Sequence, residues 1–436
     1  MPGAPRDASL DAWLDWQQAL HPRAMDLGLE RVGRVLARTG WRGPRAPVIT
    51  IGGTNGKGSC VAYAAAMLGA AGLRVGTFTS PHLVDYRERV RVGGVPVSAA
   101  SLVAAFERIA DALGDDTITF FEFNTLAALL VFETARPDAL VLEVGMGGRL
   151  DAVNLVDPDV AVIVSVGLDH VEWLGPDVES IGREKAGILR SGRPAIVGTA
   201  NPPRSVLAAA HRLGADLRLR GRDFDAVVAD RDRWTYRDRA GQFEGLPRPA
   251  LQGDVQVGNA AAVLAALRAL DGRLALPRSA IERGLATAAL PGRFQRIRDE
   301  RGFEWVLDVA HNDDSARTLA ANLAAEPAPG RTIAVCGVLG DKDVRAVVGA
   351  LRGRVDEWLA ASTAGPRGLD DTTLVERAAG AGVRMRASGT VPAALEVAAA
   401  RAAPGDRIVV FGSFHTVGPA LEHLAATGRT PPAGWL

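Results

Sequence analysis

The chain has 436 residues, 47% of them hydrophobic, and its 50 basic side chains balance 50 acidic ones, so the formal net charge is zero. A chain of this length can form two globular domains, and it contains no apolar run of about twenty residues that would span a membrane. Because no long block of one charge sign occurs, nucleic acid is a poor candidate partner.

Two further features favour a cytoplasmic location. The N-terminal segment carries acidic residues and tryptophans where a secretory signal needs basic residues followed by an apolar stretch. Cys60 and Cys336 lie far apart in apolar surroundings, which fits reduced core thiols better than a disulfide. We therefore expect a protein of the cytoplasm.

The first part of the chain alternates helix-like and strand-like runs. DAWLDWQQAL and LGLERVGRVLART predict helices, PVITIGG predicts a strand before a helix that opens at Lys57, and LRVGTFTS predicts another strand. A helix is expected from about Val97 to Leu113, capped by Ser98 or Ser101, and another over FEFNTLAALLVFETA. ALVLEVG and VAVIVSVG are apolar throughout, which is typical of strands buried on both faces of a mostly parallel sheet.

A second alternation follows a more polar stretch. The segment from about Leu213 to Leu251 predicts a surface hairpin or excursion, and helices are expected at roughly 258 to 288. LPGRFQRI, with Pro291 and Gly292, then predicts a hinge. Beyond it, the strand candidates EWVLDVAH, RTIAVCGV, DEWLAAST and DRIVVFGS are separated by helix-like runs such as SARTLAANLAAE.

These patterns predict an α/β protein with two domains. We expect a P-loop-type N-terminal domain over 1–289, with a mostly parallel sheet flanked by helices. A smaller, Rossmann-like α/β domain is expected over 290–436.

The loop GGTNGKGS, residues 52–59, predicts a phosphate site between a buried strand and a helix. Backbone N–H groups and the helix N-terminus would face the anion, and Lys57 would neutralise the outer phosphates. Ser59 would place its hydroxyl on Mg²⁺, although Gly58 intervenes where the standard motif has serine or threonine directly after the lysine. The alternative is an ordinary tight turn.

The scarcity of lysine strengthens the phosphate interpretation. Only Lys57, Lys185 and Lys342 are lysines among the 50 basic residues. Lysine is a compact point charge whose amine can lose its proton and react, whereas arginine stays charged. We therefore expect that Lys57 and Lys185 occupy positions where arginine would fail, and we draw no conclusion for Lys342. The alternative is that the three lysines remain by chance.

Three further side chains could complete a nucleotide site. Glu143 ends a predicted strand, where ligands of such sheets gather, and could bind Mg²⁺ or form only a salt bridge. His170 follows the next strand and could be a metal ligand or a structural histidine. Lys185 lies beside Glu184 on a predicted helix, where the residues alone favour a solvated ion pair.

Eight motifs together resemble the folylpolyglutamate synthase/dihydrofolate synthase family. In chain order they are GGTNGKGS, TSPHL, EVGMGGRLDAVN, LDHVEWLG, IGREKAGI, LPGRFQ, DVAHN and FGSFHTV, and they extend over nearly the whole chain. The first alone would indicate only the Mur ligase superfamily of ATP-dependent ligases that join an amino acid to a carboxylate. Its combination with GRFQ and GSFHTV is specific to the folate branch, and TITFFEFNTLAAL resembles the pterin-binding segment of the bacterial enzymes with both activities.

The resemblance implies an ATP site and two Mg²⁺ sites. The implied nucleotide-binding residues are Gly53, Thr54, Asn55, Gly56, Lys57, Gly58, Ser59, Asn259, Arg293 and Asp308. Ser80 and Glu143, with Ser59, would hold one Mg²⁺. His170 and a carbamylated Lys185 would hold the second. Lys57, Glu143, His170 and Lys185 would then be the catalytic residues.

The resemblance also implies the substrate contacts. Thr119, Phe121, Glu122 and Asp151 would bind the pterin, and His311, Ser413 and His415 would bind glutamate. The family commonly has proline after DVAHN, where this chain has Asp313 and therefore an added negative charge.

The implied activity is ATP-dependent carboxylate–amine ligation by a monomer with small-molecule substrates. L-Glutamate would be added to 7,8-dihydropteroate, giving dihydrofolate, and to reduced folates, giving folylpolyglutamates, through an acyl phosphate. The alternatives are an enzyme with one of these activities, another Mur-type amino-acid ligase, a phosphotransferase that stops at phosphorylation, and a nucleotide-binding regulatory protein.

Overall fold

The computed structural model describes residues 3–6 and 8–429 and divides into two compact units. The first unit comprises residues 3–6, 8–81, 87–250 and 257–288. The second comprises 82–86, 251–256 and 289–429, so two short segments from the earlier part of the chain belong to it. The predicted boundary after residue 289 stays a prediction, and positions 1–2, 7 and 430–436 of the predicted domains lie outside the described residues.

The first unit has a central sheet with helices packed on it. Within the described residues this sheet has eight strands in the order β4-β3-β2-β5-β1-β6-β7-β8. Pairing is parallel from β2 to β8, whereas β3 and β4 are antiparallel additions at one edge. The strands are β1 (Val48–Gly52), β2 (Val75–Phe78), β3 (Val90–Val92), β4 (Val95–Pro96), β5 (Ala139–Glu143), β6 (Val160–Ile163), β7 (Pro194–Val197) and β8 (Asp216–Leu219).

The helices of this unit follow the sequence patterns. They are α1 (Leu10–Leu20), α2 (Glu30–Arg38), α3 (Lys57–Ala70), α4 (Ala99–Ala112), α5 (Phe120–Ala135), α6 (Val171–Leu174), α7 (Val178–Ala186), α8 (Arg204–Leu213), α9 (Val255–Arg268) and α10 (Arg278–Thr287). The first two residues of α9 are grouped with the second unit. Ser98 is the N-cap of α4, and its hydroxyl accepts a hydrogen bond from Ser101 N. The helices predicted before, between and after the first strands are therefore confirmed.

The polar stretch after α8 differs from its prediction. Asp216–Leu219 joins the central sheet as its last strand, so it is not part of a surface hairpin. The remainder forms an antiparallel three-stranded sheet of β9 (Phe224–Val228), β10 (Arg233–Asp238) and β11 (Gly241–Pro247). Trp234 and Tyr236 are fully buried beneath it. The charged residues Arg233 and Arg237 flank these two aromatic residues and are exposed, because alternate side chains of a strand point to opposite faces.

The second unit contains another mostly parallel sheet. Across the described chain it has six strands in the order β12-β13-β17-β14-β15-β16, of which only the edge strand β12 is antiparallel to its neighbour. These are β12 (Gln295–Arg298), β13 (Glu304–Asp308), β14 (Thr332–Cys336), β15 (Glu357–Ser362), β16 (Arg386–Thr390) and β17 (Arg407–Phe411). The helices are α11 (Asp313–Ala325), α12 (Val344–Leu351), α13 (Asp371–Ala379), α14 (Val391–Arg401) and α15 (Phe414–Ala426).

Apolar residues of this sheet and its helices form the second unit's core. Trp305, Leu307, Ile408 and Val410 are fully buried, and the early segment 82–86 contributes Leu83 to the same cluster. The α/β fold predicted for both parts of the chain is thus confirmed. No helix among residues 3–6 and 8–429 has the length and apolar character needed to cross a membrane.

Candidate active site

The glycine loop lies between the end of β1 at Gly52 and the start of α3 at Lys57. Gly56 adopts φ +85°, a left-handed conformation that favours glycine. A Cβ atom added at Gly56 would lie 2.8 Å from Val164 Cγ1 and 3.0 Å from Asn259 Oδ1. The backbone therefore passes closely beneath these side chains, and the predicted nucleotide residue Asn259 lies against the loop.

The loop is also hydrogen-bonded to the segment after β6. Thr54 N donates to Ser165 O at 3.0 Å, and Asn55 N donates to Ser165 Oγ at 2.9 Å. The Thr54 hydroxyl donates to Gly167 O at 3.1 Å. These bonds hold the glycine loop beside the segment that continues to His170.

Lys57 folds back over the same loop. Its ammonium donates to Gly53 O at 2.9 Å and to Thr54 O at 3.2 Å. The first backbone N–H groups of α3 have no carbonyl partner within the helix, so they and the ammonium present positive charge at one place. This arrangement fits the triphosphate of ATP better than the alternative of an ordinary tight turn.

Glu143 and Ser80 meet at the carboxyl end of the adjacent strand. Ser80 N donates to Glu143 Oε2 at 3.3 Å, and the glutamate is 5% exposed. Burial raises the pKa of the Cys60 thiol, and the charge of Glu143 raises it further, so the carboxylate acts on the first turn of α3. The hydroxyls of Ser59 and Ser80 and the carboxylate of Glu143 are oxygen ligands of the kind that Mg²⁺ prefers.

Lys185 is buried on α7 rather than solvated. Burial, together with the positive charge of Lys57, lowers the pKa of Lys185 from 10.5 to about 7, while Asp169 and Asp151 partly oppose the shift. Glu184 instead accepts a hydrogen bond from Arg149 Nη2 at 2.9 Å. The solvated Lys185–Glu184 pair that the residues alone favoured is therefore wrong.

His170 follows directly after Asp169. Its backbone φ is +51°, and its N–H donates to Asp169 Oδ1 at 2.9 Å. The imidazole side chain is 31% exposed, so it is open to a ligand. Asp169, whose charge acts on Lys185, is a candidate site residue that the sequence reasoning missed. The available signal was an acidic residue between a buried strand and a candidate ligand.

Phe121 and Asp151 converge on the loop after β5. A Cβ atom on Gly145 would lie 2.5 Å from Phe121 Cζ and 3.2 Å from Asp151 Oδ2, so only glycine fits between the two side chains. The carboxylate accepts hydrogen bonds from Met146 N and Val153 N at 2.9 and 3.0 Å. Burial nevertheless raises the pKa of Asp151 to about 6, against those bonds and the charge of Lys57.

Thr119 and Glu122 have structural partners. They form a capping box at the start of α5, with Glu122 N donating to Thr119 Oγ1 at 3.3 Å and Thr119 N to Glu122 Oε2 at 2.7 Å. Arg31 Nη2 also donates to both carboxylate oxygens of Glu122 at 2.8 Å. These bonds account for both side chains without a ligand, and their substrate roles stay predictions.

The predicted metal ligands do not form a conventional cluster. Over the part of the chain that the structure describes, no three His, Cys, Asp or Glu side chains converge as a metal site. One predicted set combines the Glu143 carboxylate with serine hydroxyls, and the other combines the His170 imidazole with Lys185. Ligand spacing alone therefore did not reveal either set.

In the second unit, Asp308 holds the GRFQ turn. Its carboxylate accepts hydrogen bonds from Phe294 N and Ala310 N, each at 2.8 Å. Burial raises the pKa of Asp308, and Arg293 and His311 oppose that shift. The guanidinium carbon of Arg293 lies 5.3 Å from the centre of the Phe414 ring, so residues of three predicted motifs lie together within this unit.

The predicted glutamate-binding residues follow strands of the second sheet. His311 Nδ1 lies 2.9 Å from Val309 O, and Ser413 Oγ lies 2.8 Å from Thr416 Oγ1. Partial desolvation and the charge of Arg367 lower the pKa of His415. Since parallel strands end at one edge of a sheet, β13 and β17 bring the start of these motifs to the same edge.

Asp313 occupies the first position of α11, directly after the N-cap Asn312. Proline is favoured at this position, and a carboxylate there interacts well with the helix dipole. The charge is also paired, because Arg317 Nε donates to Asp313 Oδ2 at 3.0 Å. The departure from proline therefore fits the local structure.

Comparison with known proteins agrees with this arrangement. The Mur ligase middle domain family matches residues 51–267, and the family "Mur ligase, glutamate ligase domain" matches residues 292–414. The "Dihydrofolate synthase/folylpolyglutamate synthase" of Escherichia coli (strain K12) is 44% identical over 423 residues, covering 97% of each chain. The chain belongs to the dihydrofolate synthase/folylpolyglutamate synthase family.

Solved structures of this family have the same fold. "E.coli FolC in complex with DHPP and ADP" is 44% identical with a TM-score of 0.92, covering 98% of this chain and all of that one. A bifunctional folylpolyglutamate synthase/dihydrofolate synthase "with Mn, AMPPNP and L-Glutamate bound" is 43% identical with a TM-score of 0.88, covering 98% and 99%. The relatives thus include enzymes with a nucleotide, a divalent metal and glutamate bound.

Proposed function

We propose that this chain is an ATP-dependent carboxylate–amine ligase that adds L-glutamate to 7,8-dihydropteroate and to reduced folates. The observation that carries the proposal lies at the carboxyl ends of the central strands of the first sheet. There β1, which leads into the phosphate loop, pairs with β5, which ends at Glu143. Gly145 lies two residues after Glu143, and the ring of Phe121 packs against it. A flat aromatic wall for a pterin therefore lies beside a cradle for phosphate.

The chemistry follows from the poor leaving group of a free carboxylate. A carboxylate oxygen of the acceptor attacks the γ-phosphorus of ATP, the bond to the β-phosphate oxygen breaks, and ADP leaves. The glutamate amine then attacks the acyl carbon of the resulting acyl phosphate, the C–O bond breaks, and phosphate leaves as the amine loses a proton. Amide, ADP and phosphate are the products.

Lys57 is assigned to the charge on the transferring phosphoryl group. In this proposal Gly53, Thr54, Asn55, Gly56, Gly58 and Ser59 surround the phosphates, and Asn259 contacts the nucleotide. The ammonium of Lys57 already lies over the loop, where phosphate oxygens would replace Gly53 O and Thr54 O as acceptors. Preorganised charge of this kind stabilises a transition state at low reorganisation cost.

Two Mg²⁺ sites are proposed. Ser59, Ser80 and Glu143 would hold one ion, and His170 with a carbamylated Lys185 would hold the second. Bound Mg²⁺ would neutralise the phosphates and the transferring group. Carbamylation is supported by the burial of Lys185 and by its pKa of about 7, because the neutral amine is the form that adds carbon dioxide. Arginine would remain charged and would not form the carbamate.

The remaining roles divide between the two predicted domains, 1–289 and 290–436. Phe121 and Asp151 are proposed to contact the pterin, with Thr119 and Glu122 shaping the start of α5. Arg293 and Asp308 are assigned to the nucleotide, and His311, Ser413 and His415 to glutamate. A cytoplasmic location and a monomeric state remain predictions.

The first experiment is phosphate release from ATP with 7,8-dihydropteroate and L-glutamate, omitting each in turn and identifying the product by mass. We expect release to require all three and the product to be heavier by one glutamyl residue. Tetrahydrofolate is tested next. Lys57→Met should abolish release, whereas Arg212→Met, at an exposed position of α8, should not. Phosphorylation without glutamate would instead indicate a phosphotransferase, and use of one acceptor only would indicate a monofunctional ligase.

Carbamylation has its own readout. Protein prepared in ¹³C-bicarbonate should give a carbamate carbon signal in NMR, and Lys185→Arg should remove it. If wild type gives no such signal at slightly alkaline pH, Lys185 acts as an unmodified amine.

A further inference from the structure

The first unit contains a cavity at the amino ends of β1 and β5, at the opposite end of these strands from the phosphate loop. Its volume is about 560 Å³, and it is lined by loop 40–47, the end of α5 and the first residues of β5. β1 and β5 both start here, and five-residue strands separate the cavity from Gly52 and Glu143 by about 13 Å. None of its lining residues belongs to the candidate active site.

The cavity has an apolar floor and a basic rim. Leu129, Phe132 and Leu140 are buried at the floor. The exposed rim carries three arginines, Arg42, Arg45 and Arg136. The walls therefore suit a molecule with a compact apolar part and negatively charged groups.

Positive charge on the walls exceeds negative charge. Four arginines and two carboxylates line the cavity. The carboxylates are already engaged: Glu133 accepts from Arg108 Nη1 at 2.7 Å and from Arg42 N at 3.1 Å, and Asp138 accepts from Arg74 N at 2.7 Å.

The rim guanidinium groups are available to a ligand. Those of Arg42, Arg45 and Arg136 form no hydrogen bond or salt bridge with any residue in 3–6 or 8–429, although the charge of Arg42 also attracts Glu133. Arg108, in contrast, is held by Glu133 and by Thr39 O at 2.9 Å. Three side chains on one rim thus keep their donors for an external acceptor.

The backbone fixes where these arginines stand. Gly40 and Gly43 adopt left-handed conformations, with φ of +74° and +87°, and loop 40–47 contains two prolines. Arg136 ends α5 with φ +50°, where glycine is usual.

Arg136 shares its left-handed backbone with two residues of candidate active-site motifs. Within the described residues, the non-glycine residues with positive φ are Arg136, His170 and Phe294. The last two lie in candidate active-site motifs. Because this helix ending favours glycine, the arginine found there is consistent with a role for its guanidinium.

We propose that this cavity binds a small polyanion, a molecule that carries two or more carboxylates or phosphates. Guanidinium groups bind both anions through paired hydrogen bonds, and a cavity of this volume falls within the range of about 300–1,000 Å³ for small-molecule sites. Trp41, which also lines the cavity, offers a planar surface to the apolar part of the ligand. The site is independent of the proposed ligation.

The test is calorimetric titration of the full chain with its phosphate loop filled by saturating ADP and Mg²⁺. The probes are γ-linked triglutamate and inorganic tripolyphosphate, with excess Mg²⁺ in both solutions. We expect one equivalent of at least one probe to bind, and the probe that binds identifies the anion as carboxylate or phosphate. The affinity should fall with added salt.

Matched variants assign that binding to the cavity. Arg42→Gln combined with Arg45→Gln should weaken it at least about tenfold. Arg136→Gly should also weaken it without lowering the unfolding midpoint, because glycine suits the left-handed position. Arg212→Gln, which removes an exposed arginine of α8 far along the chain, should leave it unchanged.

Two results would overturn the proposal. One is that neither probe binds wild type at millimolar concentration while ADP is present. The other is binding with the same affinity in wild type and both rim variants, since the rim arginines would then serve only the folded structure.

Discussion

Replacing Gly56 with alanine tests the geometry of the phosphate loop. The residue ends the loop at φ +85°, and the added methyl group would lie 2.8 Å from Val164 Cγ1 and 3.0 Å from Asn259 Oδ1. The left-handed backbone alone costs an ordinary side chain about 1–2 kcal/mol. Relief of the two close contacts requires that the loop, Val164 or Asn259 move as well.

The effect on nucleotide binding should exceed the effect on stability. We expect Gly56→Ala to remain folded, with an unfolding free energy lower by about 2 kcal/mol. Each 1.4 kcal/mol of lost interaction with phosphate weakens binding about tenfold. If the loop amides and Asn259 are re-aimed together, the affinity for ADP should fall at least about tenfold.

Gly69→Ala is the matched control on the same helix. Gly69 lies near the end of α3, and a Cβ there would meet no atom within 4 Å. Alanine is the better helix former, so this variant should gain about 0.5–1 kcal/mol and keep wild-type affinity. Urea unfolding and ADP titration with Mg²⁺ measure both properties. Wild-type affinity in Gly56→Ala would refute the requirement for glycine.

Three further predictions concern single side chains. In metal-free, CO₂-free buffer, the pKa of Lys185 is lower in the folded protein than in the unfolded chain, so the folded protein binds fewer protons. The unfolding free energy of wild type should therefore rise between about pH 7 and pH 10.5. Lys185→Met should lack this rise. Asp313→Pro should change stability by less than about 0.5 kcal/mol and leave kcat unchanged, because proline suits a first helical position. Arg31→Met should cost about 3 kcal/mol in urea unfolding, since Glu122 is left buried without its partner; Arg34→Met, which breaks an exposed pair, should cost less than about 1 kcal/mol.

The strands that carry the candidate site were predictable because their patterns are local. β1, β5 and β6 are short apolar runs that end in glycine, glutamate or a turn, and a parallel sheet covered on both faces requires such runs. Strands with weak patterns were missed. β16 is largely exposed and β4 has two residues, so neither has an apolar run to detect.

By itself, the sequence determined the glycine loop, the order of helices and strands, and the motifs of the family. These depend on neighbouring residues, whose spacing the sequence states directly. Only the tertiary structure decided that Lys185 is buried and that the charge of Asp169 affects its pKa. It also decided that Glu184 is hydrogen-bonded to Arg149 and not paired with Lys185. Burial and electrostatic environment depend on segments far apart in the chain, and folding alone brings those segments together.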